Sequence, residues 1–203
     1  MDHEEIARSL RVIRETMESS SRYTNIPALG YVAAGALGLI GPALTFWLLG
    51  PEKLAGAAFT GWDVGLLCAL WTVVFFGAAG ASGWLTIRRA RSHGIRAWNS
   101  LAARMYLAQL PQVLATLVIT IALVNRGQYL ILPAVWLLAY GVILFGFSYF
   151  TGRDHFAQAL IFLGLGAVAA FVSGLTALEL MALGFGVTNL AFGAKALVKE
   201  WMA

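Results

Sequence analysis

The residues best suited to hold a ligand by hydrogen bonds cluster in one stretch. Gln109, Gln112, Thr116 and Thr120 recur at three- and four-residue spacing, with Pro111 between the glutamines. That spacing puts all four on one helical face. Amides and hydroxyls bring donors and acceptors without charge. They suit a small polar cavity for a neutral solute, or hydrogen bonds from helix to helix, which membrane bundles use routinely. Thr188 and Asn189 lie on a later apolar stretch and are placed to meet this stripe. Both readings stay open.

Charged chemistry has little to work with. No Lys, Arg, Asp, Glu or His falls near the middle of an apolar stretch; Asp63, His155 and Glu179 sit at the ends. Proton pumps and carriers of charged solutes need an ionisable group at membrane depth, so both are disfavoured. The single cysteine, Cys68, has no basic neighbour one turn away and reads as packing. His93 stands beside Gly94 with no second ligand at metal-binding spacing. HExxH and GxSxG are both absent. The glycine pairs in "GLGAVAAF" and "GFGVTNLAFG" follow no strand and do not read as phosphate loops. No cofactor, no metal and no enzymatic activity are expected.

The elements that must carry these residues follow from composition. The chain has 203 residues, 60% hydrophobic and 12% charged, with 22 glycines; its mean hydropathy is +0.77. A soluble domain carries about 25% charged residues. Six apolar stretches stand out, at about 26–50, 62–87, 105–125, 129–150, 156–173 and 178–197. Each runs on for roughly 20 residues, where a barrel strand alternates over about 10. The expectation is an all-α polytopic membrane protein with six transmembrane helices over 26–203, preceded by an amphipathic arm over 1–25. An alternative joins the last two stretches, which meet through "SGLTALE", into one re-entrant element.

Basic residues set the orientation. Twelve of the fourteen fall on one side: Arg8, Arg11, Arg14, Arg22, Arg88, Arg89, Arg91, Arg96, Arg104, Arg153, Lys195 and Lys199. Only Lys53 and Arg126 fall on the other. Both termini are therefore expected in the cytoplasm. The loop "IRRARSHGIRAWNSLAARM" has five arginines and no acid, with Trp98 suited to headgroup depth. Arg88, Arg89, Arg91, Arg96 and Trp98 read as a topology and lipid anchor. The positive charge is accounted for by topology, and no nucleic-acid partner is expected.

The arm is a different kind of segment. Asp2 and Glu5 are spaced as a capping box, and Glu4–Arg8, Arg11–Glu15 and Arg14–Glu18 as i,i+4 pairs. Ile6, Leu10, Ile13 and Met17 form a narrow apolar stripe. Five acids against four arginines leave little attraction to anionic lipid, and no apolar core marks a signal peptide. The stripe suits a cytoplasmic protein partner or a second copy of the chain; it equally suits the underside of the bundle or the membrane surface. Small residues one turn apart, such as Gly30–Ala34–Gly38, Ala79–Gly83, Gly166–Ala170–Gly174 and Ala182–Gly186, suit close helix packing.

"IRETMESSSRYTNIPALGYVAAG" before the first stretch, "LPAVWLLAYGVILFG" in the fourth and "LGFGVTNLAFG" in the sixth resemble an uncharacterised family of small bacterial six-span membrane proteins. The resemblance covers nearly the whole chain and implies a bacterial inner-membrane setting. Members carry His near the position of Asn189, and its replacement here argues against metal or haem. The family brings no assigned activity. Two functions are therefore carried forward: a non-enzymatic sensor, scaffold or accessory subunit, and a small transporter or channel for a neutral or lipophilic solute.

Overall fold

The computed structural model describes residues 27–92, 94, 98, 100–172 and 174–202. The arm stripe of Ile6, Leu10, Ile13 and Met17, together with His93 and Arg96, lies outside the described residues. Among those described, all regular structure is helical. The helices are α1 (Ala28–Leu54), α2 (Gly61–Ser92), α3 (Ser100–Asn125), α4 (Leu132–Thr151), α5 (Arg153–Ala169), α6 (Leu175–Met181) and α7 (Asn189–Trp201). A 3-10 turn, Tyr129–Ile131, leads into α4, and a π-helical segment, Ala182–Thr188, joins α6 to α7 without a break. Helix is the economical choice for such a sequence. In lipid every backbone N–H and C=O must be bonded within the protein.

Among the described residues, five stretches are long and apolar enough to cross a membrane: α1, α2, α3, α4 with its 3-10 turn, and α6 through α7. The fifth apolar stretch, 156–173, forms α5, which has only 17 residues. It starts three residues earlier than the stretch and ends four residues before its end. A turn intervenes before Gly174, whose φ of +65° suits glycine. α1 also differs from a simple rod. Gly50 has φ +71° and breaks it just ahead of Pro51, which is where its apolar stretch ends.

α4 and α5 form a tight antiparallel pair joined by Gly152 alone. Glycines set the spacing. Added methyls at Gly141 and Gly166 would press on Leu163 and Leu138 of the facing helix. Leu137, Leu144, Phe162 and Met181 fill the centre. Tyr140, Phe162 and Phe185 lie ring against ring, with centroids 4.7, 5.1 and 5.2 Å apart.

α1 packs along the π segment and α7. At Gly38 an added methyl would collide with the carbonyl of Phe185, which is backbone and cannot move aside. Gly35 faces the side chain and backbone nitrogen of Leu190, and Gly186 faces the Leu39 side chain. At the far end Gly174 sits on the Leu54 carbonyl. α5 thus carries the chain from the end bearing Arg88, Arg89 and Arg91 to the end bearing Leu54.

α2 and α3 are peripheral. α2 packs on α1, and α3 on α4, and the two have no packed interface with each other. Ser82 donates to the Gly30 carbonyl at 3.3 Å; Ala102 and Met105 pack against Phe147 and Phe150. The outward sides are apolar and exposed, as at Val73, Phe76, Leu107 and Val118. Cys68 also lies on this surface, so it does not serve as packing. Ala79 is exposed and Gly83 has open space, so that small-residue pair makes no close helix contact.

Gly38→Ala is expected to destabilise the bundle by about 1–3 kcal/mol, the usual cost of overpacking. Gly80→Ala, where an added methyl meets open space, is expected to be neutral or slightly stabilising. Equilibrium unfolding in mixed micelles checks the pair. Equal effects of the two would contradict the packing described.

Candidate functional site

The polar stripe on α3 packs toward α4 at Gln109 and Thr120. Gln109 is 8% exposed and packs over Gly146 of α4, where an added methyl would strike its amide. Thr116 Oγ1 donates to the Gln112 carbonyl and Thr120 Oγ1 to the Thr116 carbonyl, each at 2.8 Å. Trp136 of α4 donates its indole N–H to Thr120 Oγ1 at 3.0 Å. The stripe is therefore the seam between α3 and α4. Asn189 does not meet it.

Asn189 belongs to a second polar cluster, at the Arg-rich end and between other helices. Its Nδ2 donates to the Phe185 carbonyl at 2.9 Å. Its Oδ1 accepts from Gln158 Nε2 of α5 at 2.8 Å. The carbonyl can only accept, so Asn189 must present its amide nitrogen there. That turns its oxygen to Gln158, which must answer with nitrogen. The chain of constraints leaves Gln158 Oε1 buried without a partner among the described residues. A buried acceptor in that state costs about 1–3 kcal/mol.

One turn before Gln158, on the same face of α5, His155 Nε2 shares a hydrogen bond with Tyr31 Oη of α1 at 2.7 Å. His155 is 7% exposed, although it sits at the start of its helix. Tyr31, His155, Gln158 and Asn189 thus bring three helices, α1, α5 and α7, to one polar region.

The π segment positions its lower half. A π turn holds an extra residue and changes which side chains face inward. Gly184 meets Leu137 and Phe162, and Gly186 meets Leu39. Thr188 Oγ1 donates to the Leu183 carbonyl five residues back, at 3.0 Å. Such bulges are frequent at functional sites.

Ion pairs close the same end. Lys195 and Lys199 of α7 reach the two oxygens of Asp154 at 2.6 and 2.8 Å. They hold its carboxyl below the usual range. Glu200 pairs with Arg89 and accepts from the backbone N–H of Ala28 at 3.2 Å. At the opposite end Lys53 pairs with Asp63, which is 5% exposed. Arg88 lies over the Trp84 ring at 5.4 Å, Arg91 is exposed, and Trp98 stacks on Tyr106.

Chemically, this arrangement ties helices together. Among the described residues no three of His, Cys, Asp and Glu converge. Two shallow depressions lie away from both polar groups. One, of about 420 Å³, is lined by Leu197, Val198, Trp201 and Met202. The other, of about 180 Å³, lies between Gly56–Phe59 and Gly127–Leu130.

No protein-family model matches the sequence, and neither a curated protein nor a solved structure is similar to it. The reading of the site therefore rests on its own geometry.

Gln158→Leu and Asn189→Leu are each expected to destabilise the bundle, because each strands the partner's amide. The double substitution is expected to cost less than the sum, by about 0.6–1.7 kcal/mol. A double-mutant cycle on detergent-solubilised protein measures this, and strict additivity would show that the pair is not coupled.

Proposed function

We propose that the chain is a non-enzymatic accessory, scaffold or sensor subunit of the bacterial inner membrane, contacting a cytoplasmic partner or a second copy through its N-terminal arm. The observation that carries this reading is how the bundle's polar groups are spent. Gln109, Thr120, Gln158 and Asn189 bond or pack from helix to helix, and neither depression touches them. A transporter for a neutral solute needs those groups turned toward a hydrated path.

Six crossings with both termini in the cytoplasm complete the proposal. α5, at about 1.5 Å per residue, is about 25 Å long against a hydrocarbon core of about 30 Å. Local thinning accommodates a mismatch of that size. Support for six comes from its course, from the Arg-rich end to the Leu54 end, and from the twelve-to-two division of basic residues. The arm is left as the segment suited to a partner, because its stripe is too narrow and too nearly neutral to hold it on lipid.

A photo-crosslinker at Leu10, inside the stripe, tests the proposal in intact cells. A discrete adduct is expected, absent when the crosslinker sits at Arg8, on the opposite face of the expected helix, and deletion of residues 2–20 is expected to reproduce the phenotype of losing the gene. No adduct together with a silent deletion would end the accessory reading. Reporters fused to each terminus should both report the cytoplasm; opposite signals would end the six-span topology.

A further inference from the structure

We infer that the edge of α3 bearing Gln112 is the contact with a second copy of the chain, made amide to amide within the membrane. The seam between α3 and α4 has two edges. Along one, Tyr106 packs edge-on against Phe147 of α4, with centroids 5.8 Å apart. Gln112 lies about 120° round α3 from Tyr106 and so marks the other. It is half-buried. Its backbone carbonyl accepts from Thr116 Oγ1, but its amide has no hydrogen-bond partner among the described residues. Neither has the amide of Gln109, one turn before it, which lies over Gly146. Gln112 is the thirteenth of the 26 residues of α3. It therefore sits about 18–20 Å from either helix end, near the middle of the bilayer. An amide left unbonded at that depth is costly, because lipid tails offer neither donor nor acceptor.

The amide and its neighbours select the occupant. Ala108, Gln112, Ala115, Ile119 and Ala122 recur at alternating four- and three-residue spacing, the repeat of a left-handed helix pair. All but the half-buried Gln112 are exposed. The three alanines let another helix approach closely, and one polar residue in an apolar seam fixes its register. An amide carries both donor and acceptor, so it is its own complement across a two-fold axis. Copies inserted the same way round bring equal positions of α3 to equal depth. Gln112 then meets Gln112, with Gln109 one turn away for the N–H groups left over. An acyl chain would cover the alanines and leave both amides unbonded, and a phospholipid headgroup stays at the membrane surface. The contact requires only that α3 lie in a membrane, and is independent of what the arm touches.

Oxidative crosslinking of the full-length chain in native membranes, in a Cys68→Ala background, tests this. Ala108→Cys and Ala115→Cys are each expected to give a disulfide-linked dimer. Leu110→Cys, at an exposed position about 160° round α3 from Gln112, is expected to give none. Single-molecule photobleaching of the labelled chain, diluted in liposomes, then measures the dimer itself. Gln112→Leu is expected to raise its dissociation constant about tenfold, as the loss of one or two interhelical hydrogen bonds does. Gln112→Asn, which keeps an amide, is expected to raise it less. If Gln112→Leu does not accumulate, the pattern of the cysteine variants carries the test. Equal crosslinking at 108, 110 and 115, a parent chain that stays monomeric, or a Gln112→Leu dimer as stable as the parent's would overturn the contact. Adducts of Ala115→Cys with a different membrane protein in place of the dimer would also overturn it. So would rapid labelling of that cysteine by a water-soluble thiol reagent, which would make the edge the wall of a hydrated path.

Discussion

The structure depends on how closely two backbones approach at Gly38. Lipid tails are as apolar as leucine, so burying leucine between helices gains little over leaving it in the bilayer. What remains is dispersion at short range and a few hydrogen bonds. α1 and the π segment secure the first by removing side chains where they cross, at Gly35, Gly38 and Gly186. The close approach needs glycine on both sides. It also needs the π turn, which brings Gly186 against Leu39 of α1 while Gly184 faces Leu137 and Phe162.

Hydrogen bonds then distinguish one helix partner from another. Gln158, Asn189, Thr45, Thr116, Thr120 and Thr188 each donate to a specific acceptor on another helix or on their own. Asn189 is fixed by the Phe185 carbonyl and in turn fixes Gln158. Tyr31 ties α1 to α5 through His155. Both contacts lie on the Arg-rich side of the bundle, alongside the pairs of Asp154 with Lys195 and Lys199. That side is bound by polar contacts and the Leu54 end by close turns such as Gly174. A compact core of α1, α4, α5, α6 and α7 results, with α2 and α3 as outriggers whose wide apolar sides face outward.

Much of this architecture is legible in the sequence, because a continuous apolar run of 20 residues in lipid has one dominant outcome. The break in α1 is visible in Gly50-Pro51, and the α3 stripe is visible in its spacing. The partners of polar groups are harder to read. The sequence places Asn189 to meet α3, since spacing fixes a helical face but not the neighbour that faces it. The π segment rotates that face, and no residue type announces a π turn. Gln158 was the missed signal. It is a lone amide inside an apolar stretch, three residues after His155, and that spacing places both on one face of α5. The exposure of Cys68 was illegible for a related reason: an apolar residue in a membrane helix is equally at home against protein or lipid.

The central claim is that the polar side chains of Gln109, Gln158 and Asn189 are dry and bond or pack between helices. Cysteine substitution at Asn189 and Gln109, in a Cys68→Ala background and in intact membranes, tests it most directly when probed with a small membrane-impermeant thiol reagent. A cysteine at the exposed Arg91 serves as the positive control, with the reagent admitted to that side. The account predicts rapid labelling at position 91 and none at 189 or 109 until the protein is denatured. Labelling at 189 and 109 as fast as at 91, in protein that remains folded, would reveal a hydrated path and contradict it.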